Sequence, residues 1–247
     1  MTKIGRFTKE KFGYSQPAHS PLYARPPIYY KNVEAIWVNY ETDEEAALEQ
    51  LPEGLELPTP VLATLMLIRY PFSTLGFYEE AILAIACSWQ GEERYYIPHI
   101  VVNNDVPLAA GREIWGFPKK MAHITLEKEA DLIWGKVERP RGNLICKAGV
   151  RPEKPAELEA SETVAWSACL KIVPSPEEGA EPSVAELVQV PSKLTILGAW
   201  QGPGWIHIET ASEIDPWYKL PVKQIVDATY YVYDQELGYG KVVKRYE

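Results

Sequence analysis

Apolar positions along this chain alternate with polar ones in short runs, and only briefly do they follow the three-to-four spacing of an amphipathic helix. Residues 33–40 alternate well enough to predict a strand. Residues 60–70 are almost unbroken apolar, the pattern of a strand buried on both faces. A second apolar strand is predicted over 81–89, with Glu80 at its mouth. Residues 90–93 form a hairpin turn into a strand over 94–102, where Pro98 marks an edge or bulge. Residues 122–128, 132–138 and 144–150 read as a meander punctuated by Gly135 and by the stretch 139–142. Strands over 166–173, 184–197, 205–210 and 222–234 follow. The pair 184–197 and 205–210 is expected to run antiparallel around Gly202-Pro203-Gly204.

Helical signals are few. Thr42, with Glu45 three residues on, predicts a capping box that opens a helix over 43–50. Asp105 is expected to cap a short helix with Pro107 in its first turn, running to about Trp115. Residues 1–30, rich in proline and aromatics, predict an extended arm. Residues 151–163 are charged and proline-bearing, a surface excursion of one or two helical turns, and 174–182 form an acidic loop. Short strands with turn signals every 8–12 or so residues predict a mostly β body. No repeat or linker divides the chain, so 1–247 is expected to be a single domain.

The segment 111–120, Gly-Arg-Glu-Ile-Trp-Gly-Phe-Pro-Lys-Lys, carries the candidate chemistry. A lysine is a nucleophile only as the free amine, and burial or a second cation favours that form. Two unit charges about 6 Å apart at an effective dielectric of about 20 repel by roughly 3 kcal/mol, or about two pKa units. Lys119 and Lys120, adjacent in an apolar wall, fit such an arrangement. Lysine pairs are also common on solvated surfaces, so the pair alone does not decide the matter.

The surrounding residues do more. Gly111, Arg112, Glu113, Phe117, Pro118, Lys119 and Lys120 resemble the signature of the acetoacetate decarboxylase family. So do the segments 75–80, 170–174, 199–203 and 220–226, in the family's order, and together they span roughly residues 24–235. The resemblance implies a mostly β (α+β) fold: a closed antiparallel β-barrel or cone with a few short helices outside. It implies that Lys119 forms a Schiff base, that Lys120 activates it, and that Glu80 handles protons. Glu79 is the internal alternative to Glu80, because successive strand residues face opposite sides. Trp115, Phe117 and Met121 are expected to desolvate the lysine, and Phe77 to lie beside the substrate. Arg112 is expected either to guide an anionic substrate or to hold the loop.

Two positions depart from the family pattern. Val33 stands where a pocket arginine is expected, with Lys31 and Arg25 as the nearest cations, and Thr64 stands where a second pocket glutamate is expected. The resemblance as a whole implies a cofactor-free decarboxylation of a β-keto acid such as acetoacetate, whereas these two departures point away from acetoacetate itself. Two other outcomes of the same fold are aldolase-dehydratase chemistry on pyruvate-like keto acids and non-catalytic binding of a small ligand. The family is oligomeric, so a homo-oligomer is expected.

Composition narrows the partners. A net charge of −9 and a pI near 5.1 argue against nucleic acid and anionic membranes. No apolar run is long enough for a transmembrane helix, and the N-terminus lacks a signal-peptide core. Cys87, Cys146 and Cys169 have no CxxC spacing and read as buried thiols in a reducing cytoplasm. His19, His99, His123 and His207 lack metal spacing, so no metal site is expected. The eight tryptophans are assigned to packing rather than to carbohydrate stacking.

Overall fold

The computed structural model describes residues 2–157, 161–209 and 211–246. After an irregular arm come β1 (Ile28–Glu41), α1 (Glu44–Leu48), β2 (Leu62–Tyr70), β3 (Phe72–Ser73), β4 (Tyr78–Trp89) and β5 (Glu92–Val102). Then follow α2 (Asp105–Ala110), β6 (Lys119–Met121), β7 (His123–Glu129), β8 (Leu132–Glu138), β9 (Leu144–Val150) and β10 (Lys154–Pro155). The chain ends with β11 (Glu162–Val173), β12 (Val184–Gln201), β13 (Gly204–Ile208), β14 (Gln224–Leu237) and β15 (Lys241–Arg245).

Seven strands close into a barrel in the order β12, β11, β5, β4, β2, β1 and β14, with β14 pairing back onto β12. Closure leaves the main ring without free edges. The barrel is mixed rather than wholly antiparallel. Strands β5 and β11 run parallel through Ser167–Tyr95 and Ala168–Tyr96, and β6 lies parallel on β5. A second sheet, β13-β9-β8-β7, covers part of the outer wall.

This layering accounts for the unbroken apolar runs. Along β2, Met66, Ile68 and Tyr70 point into the barrel with Val33, Ala35, Ile82 and Ile100. Leu65 and Leu67 point outward, where they pack with Ile124, Leu126 and Ile145 of the second sheet. A wall strand with core on both sides needs apolar residues at successive positions, not alternate ones.

Several local expectations are corrected. Asp43, not Thr42, caps α1, its Oδ1 accepting from Ala46 N at 3.2 Å. Thr42 is still held in the sheet, its N–H donating to Val61 O. Asn104, not Asp105, caps α2 by accepting from Val106 N at 3.0 Å. Strand β13 pairs with β9 rather than with β12. Gly204 crosses against Ala228, where an added Cβ would lie 2.1 Å from the alanine Cβ, and this close crossing carries the chain to the second sheet. Strand β15, which pairs with β12, is an addition to the predicted elements. The arm ends at Ile28 rather than at residue 30, and it packs along the body through Tyr23, whose hydroxyl donates to Glu113 Oε2 at 2.5 Å. Of the predicted excursion over 151–163, residues 154–155 form β10 and 158–160 lie outside the described residues.

Candidate active site

Helix α2 runs into a π-helical turn over Gly111–Trp115, which Gly116 ends in the left-handed region at φ 84°. A side chain at Gly116 would be strained by that backbone and would also meet Lys171, 2.4 Å from its Cβ. Both Gly116 N and Phe117 N donate to Gly111 O, at 3.0 and 3.1 Å. The turn thus delivers the chain to β6, which docks beside β5 with Lys119 opposite Ile100. Ile100 belongs to the barrel interior and its neighbour Val101 to the outer layer. Lys119 takes the inward side and Lys120 the outward side.

Inside the barrel, Lys119 is 6% exposed and Glu80 4% exposed. Their Nζ and Oε2 atoms lie 2.6 Å apart. Glu80 is the inward member of the 79–80 pair, as strand alternation requires. Glu79 faces away and is held by Arg69, at 2.9 and 3.1 Å, and by Asn103 Nδ2 at 3.2 Å.

Four buried tyrosines surround the pair. Tyr70 donates to Glu80 Oε1 at 3.0 Å, and Tyr78 donates to Tyr30 at 3.4 Å. The Tyr70 and Tyr78 rings lie 4.4 Å apart, with Tyr30 4.8 Å from Tyr70. Tyr233 completes the group on β14. Burial first, and then the Glu80 charge, raises the Tyr70 phenol well above its ordinary range. Tyr70 therefore meets the carboxylate as a neutral donor. The Lys119 ammonium position lies 5.6 Å from the Tyr78 ring centre and 5.7 Å from that of Phe117, within cation–π range. Burial also raises the Cys169 thiol, with the nearby Lys119 opposing the shift. The sequence reading assigns none of these tyrosines to the site. Their parity could have identified them, because Tyr70 shares its strand face with Met66 and Ile68, and Tyr78 shares its face with Glu80.

The other expected site residues are distributed unevenly. Lys120 does not face the barrel interior beside Lys119. It is ion-paired to Asp215 Oδ1 at 3.1 Å and also donates to Ile214 O. Arg139 Nε holds the other Asp215 oxygen at 3.0 Å. Strand alternation thus turns the two ammoniums to opposite sides of β6, and Asp215 compensates the Lys120 charge. Arg112 is exposed, and its Nη1 donates to Lys119 O at 3.2 Å, so it holds the loop rather than facing the cavity. Phe117 flanks Lys119 as expected. Trp115 is buried one ring further back, 5.9 Å from Phe117, with its Nε1 donating to Gly238 O at 2.9 Å. Phe77 and Met121 are 57% and 43% exposed; Met121 does not desolvate the lysine, and Phe77 lies at the surface rather than in the lining of the barrel cavity. Phe77 follows the turn at Gly76, ahead of the strand that carries Glu80, and Met121 lines an outer groove with Arg139 and Asp215.

At the departures from the family pattern, Val33 is fully buried in the barrel core, opposite Tyr233. Lys31 is paired outside with Asp234 at 2.6 Å, and Arg25 stacks on Tyr14 at 4.8 Å. Among the described residues, Lys119 is the cation in ion-pair contact with Glu80. Thr64 donates to Asn39 Oδ1 at 2.6 Å, and the Asn39 amide donates to both oxygens of Asp227 at 2.9 and 3.1 Å. A carboxylate from β14 thus lies close to the position where a glutamate was expected on β2.

A cavity of about 80 Å³ lies within the barrel, with Tyr70 and Tyr233 in its wall. Clefts of about 450, 560 and 490 Å³ lie elsewhere, and neither their linings nor that of the barrel cavity includes Lys119 or Glu80, which the cavity meets only through Tyr70, the donor to Glu80. The first of them shares Leu194 and Gln235 with the cavity.

The family model for acetoacetate decarboxylase matches residues 15–246. The chain belongs to the acetoacetate decarboxylase family. It is 32% identical over 237 residues to acetoacetate decarboxylase 2 of Mesorhizobium japonicum, covering 94% of this chain and 89% of that protein. It is 33% identical over 239 residues to the acetoacetate decarboxylase of Burkholderia mallei, covering 94% and 95%. The crystal structure of acetoacetate decarboxylase from Legionella pneumophila superposes with a TM-score of 0.87 at 29% identity, over 100% of this chain and 98% of that one. In this family member the barrel encloses a lysine–carboxylate pair within a shell of tyrosines.

Proposed function

We propose that this protein is a cofactor-free decarboxylase of a β-keto acid such as acetoacetate, acting through a Schiff base on Lys119. The observation that carries the reading is the buried Lys119–Glu80 pair at 2.6 Å. A proton crossing from Nζ to Oε2 leaves a neutral amine and a neutral carboxylic acid, and no charge is left unpaired in the core.

The free amine attacks the ketone carbon, a C–N bond forms, and the carbinolamine loses water to give an iminium. The bond to the carboxylate carbon then breaks. Its electron pair moves toward the iminium nitrogen, carbon dioxide departs, and an enamine remains. The enamine carbon takes up a proton, and water hydrolyses the regenerated iminium to release the ketone. Each turnover consumes one proton from solvent, and Glu80, beside the lysine nitrogen, is the group to relay it. Tyr70 holds the Glu80 carboxylate during these transfers. Lys120, tied to Asp215, anchors β6 so that its neighbour keeps its aim.

Incubation with acetoacetate and borohydride, followed by mass analysis of the peptide holding Lys119, tests the reading. A reduced adduct at Lys119 with carbon dioxide released in parallel is the expected result. An adduct without carbon dioxide would replace decarboxylation with aldol-type chemistry, and no adduct at all would overturn the Schiff base.

A further inference from the structure

We propose that the barrel cavity seats the tail of a 3-oxo acid longer than acetoacetate, and that Trp37 Nε1 donates to an uncharged oxygen on that tail. The proposal rests on the Schiff-base reading for the position of the ketone. It goes beyond that reading in naming the substrate class.

The argument begins with a buried donor. Trp37 lines the cavity, and its Nε1 is buried without a hydrogen-bond partner. An orphaned buried N–H is costly, so native structures rarely keep one unless something else satisfies it. The indole is not free to turn elsewhere. Its ring packs 5.0 Å from Tyr231 and 6.5 Å from Tyr233. Among the described residues with a buried partnerless side-chain atom, Trp37 is the one that lines this cavity.

Register gives the reach. Glu80 lies opposite Ile68 on β2, and Trp37 lies opposite Met66. Two residues along a strand span about 7 Å, so the indole stands one layer above the catalytic carboxylate. In acetoacetate the group beyond the ketone is a methyl, which ends in the lower layer. Reaching Trp37 takes a tail of two or three further atoms. The cavity of about 80 Å³ provides that much room, at ~30 Å³ for a water-sized group.

The walls give the chemistry. Met66, Ile82, Ala84, Ile97 and Leu194 supply apolar surface, Ser167 and the hydrogen-bonded pair Gln235–Ser192 add uncharged polar groups, and no charged side chain lines the cavity. A carboxylate here would be buried without a counter-ion, which is far costlier than a hydroxyl or carbonyl meeting one N–H. The tail is therefore apolar with an uncharged acceptor.

The test uses acids that cannot form an imine, so it does not depend on catalysis. Binding of 3-hydroxyhexanoate and 3,5-dihydroxyhexanoate is measured by titration calorimetry on the wild type and on Trp37→Phe, which keeps an aromatic ring and removes the N–H. The 5-hydroxyl is expected to tighten wild-type binding by roughly three- to tenfold, and the variant should lose that gain. Because Trp37→Phe removes an orphaned donor, its melting temperature should not fall. Ala84→Leu, which fills the cavity, should weaken both six-carbon acids while leaving 3-hydroxybutyrate unaffected. The proposal is overturned if the gain persists in Trp37→Phe, if the wild type gains nothing from the 5-hydroxyl or binds neither acid, or if Ala84→Leu treats four- and six-carbon acids alike. Carbon dioxide release from acetoacetate is read separately, so failure of the decarboxylase reading shows itself without being mistaken for failure of the tail site.

Discussion

Gly111 lies directly beneath the side chain of Lys119: a Cβ at position 111 would come within 2.7 Å of both Cδ and Cε of the lysine. The glycine that opens the signature segment is therefore part of the seat of Lys119, the proposed nucleophile. Gly111→Ala should fold, because the obstructing atoms belong to a side chain that can shift. The shift moves Nζ away from Glu80. Misplacement of a reacting group by about 1 Å can cost on the order of 100-fold in rate. Borohydride trapping at Lys119 should fall by about that factor while the circular dichroism spectrum stays native.

The Lys119–Glu80 pair predicts a distinctive stability pattern. Removing either partner alone, as in Lys119→Met or Glu80→Gln, disrupts a buried ion pair and is expected to cost about 3–5 kcal/mol. Removing both should recover most of that loss, because two neutral side chains leave nothing unpaired. Denaturant unfolding of the two single variants and the double variant measures the coupling. Additive losses would contradict it.

Lys120→Met separates anchoring from activation. The outward pairing with Asp215 predicts that this variant still forms the Lys119 adduct at a rate within a few-fold of wild type. It should lose about 1 kcal/mol of stability, since the lysine is partly exposed and Arg139 still holds Asp215. Loss of adduct formation by two orders of magnitude would restore direct activation by Lys120.

Phe77→Ala and Met121→Ala should leave kcat and KM for acetoacetate within about twofold of wild type, because both side chains are largely exposed and remote from the cavity lining. Steady-state kinetics on the two variants checks this.

His99 supplies a pH dependence. Burial first, and then the nearby Lys120 charge, lowers its pKa from 6.5 to about 4. The unfolded chain binds this proton below about pH 6.5, and the folded chain does so only below about pH 4. Folding stability should therefore fall as pH drops from 6.5 to 4, by at most about 3 kcal/mol, and this contribution should level off below that range. His99→Gln should flatten the slope in denaturant titrations across that window.

Much of this structure is legible in the chain. The apolar runs of β2 and β4 announce walls with core on both sides, and strand alternation leaves only one of Glu79 and Glu80 facing inward. The Gly111–Lys120 segment points to the nucleophile. What periodicity cannot supply is the partner across space. Strand β13 looks like the return arm of a hairpin with β12, yet the close crossing at Gly204 sends it to β9. Lys120 looks like a companion to Lys119 until β6 is seen as a strand, which turns neighbouring residues apart. Tyr30, Tyr70, Tyr78 and Tyr233 come from four strands, and only barrel closure gathers them around one carboxylate.

Lys119 and the cavity walls reside on different strands. Lys119 sits on a three-residue strand behind a π-turn, whereas Trp37 belongs to β1, Met66, Ile68 and Tyr70 to β2, and Ile82 and Ala84 to β4. Substitutions on these wall strands can thus remodel what the barrel admits without moving the lysine. For evolution, the arrangement separates heritable change in diet from change in digestion: lineages can explore new carbon skeletons through the wall strands while the short lysine segment is inherited intact.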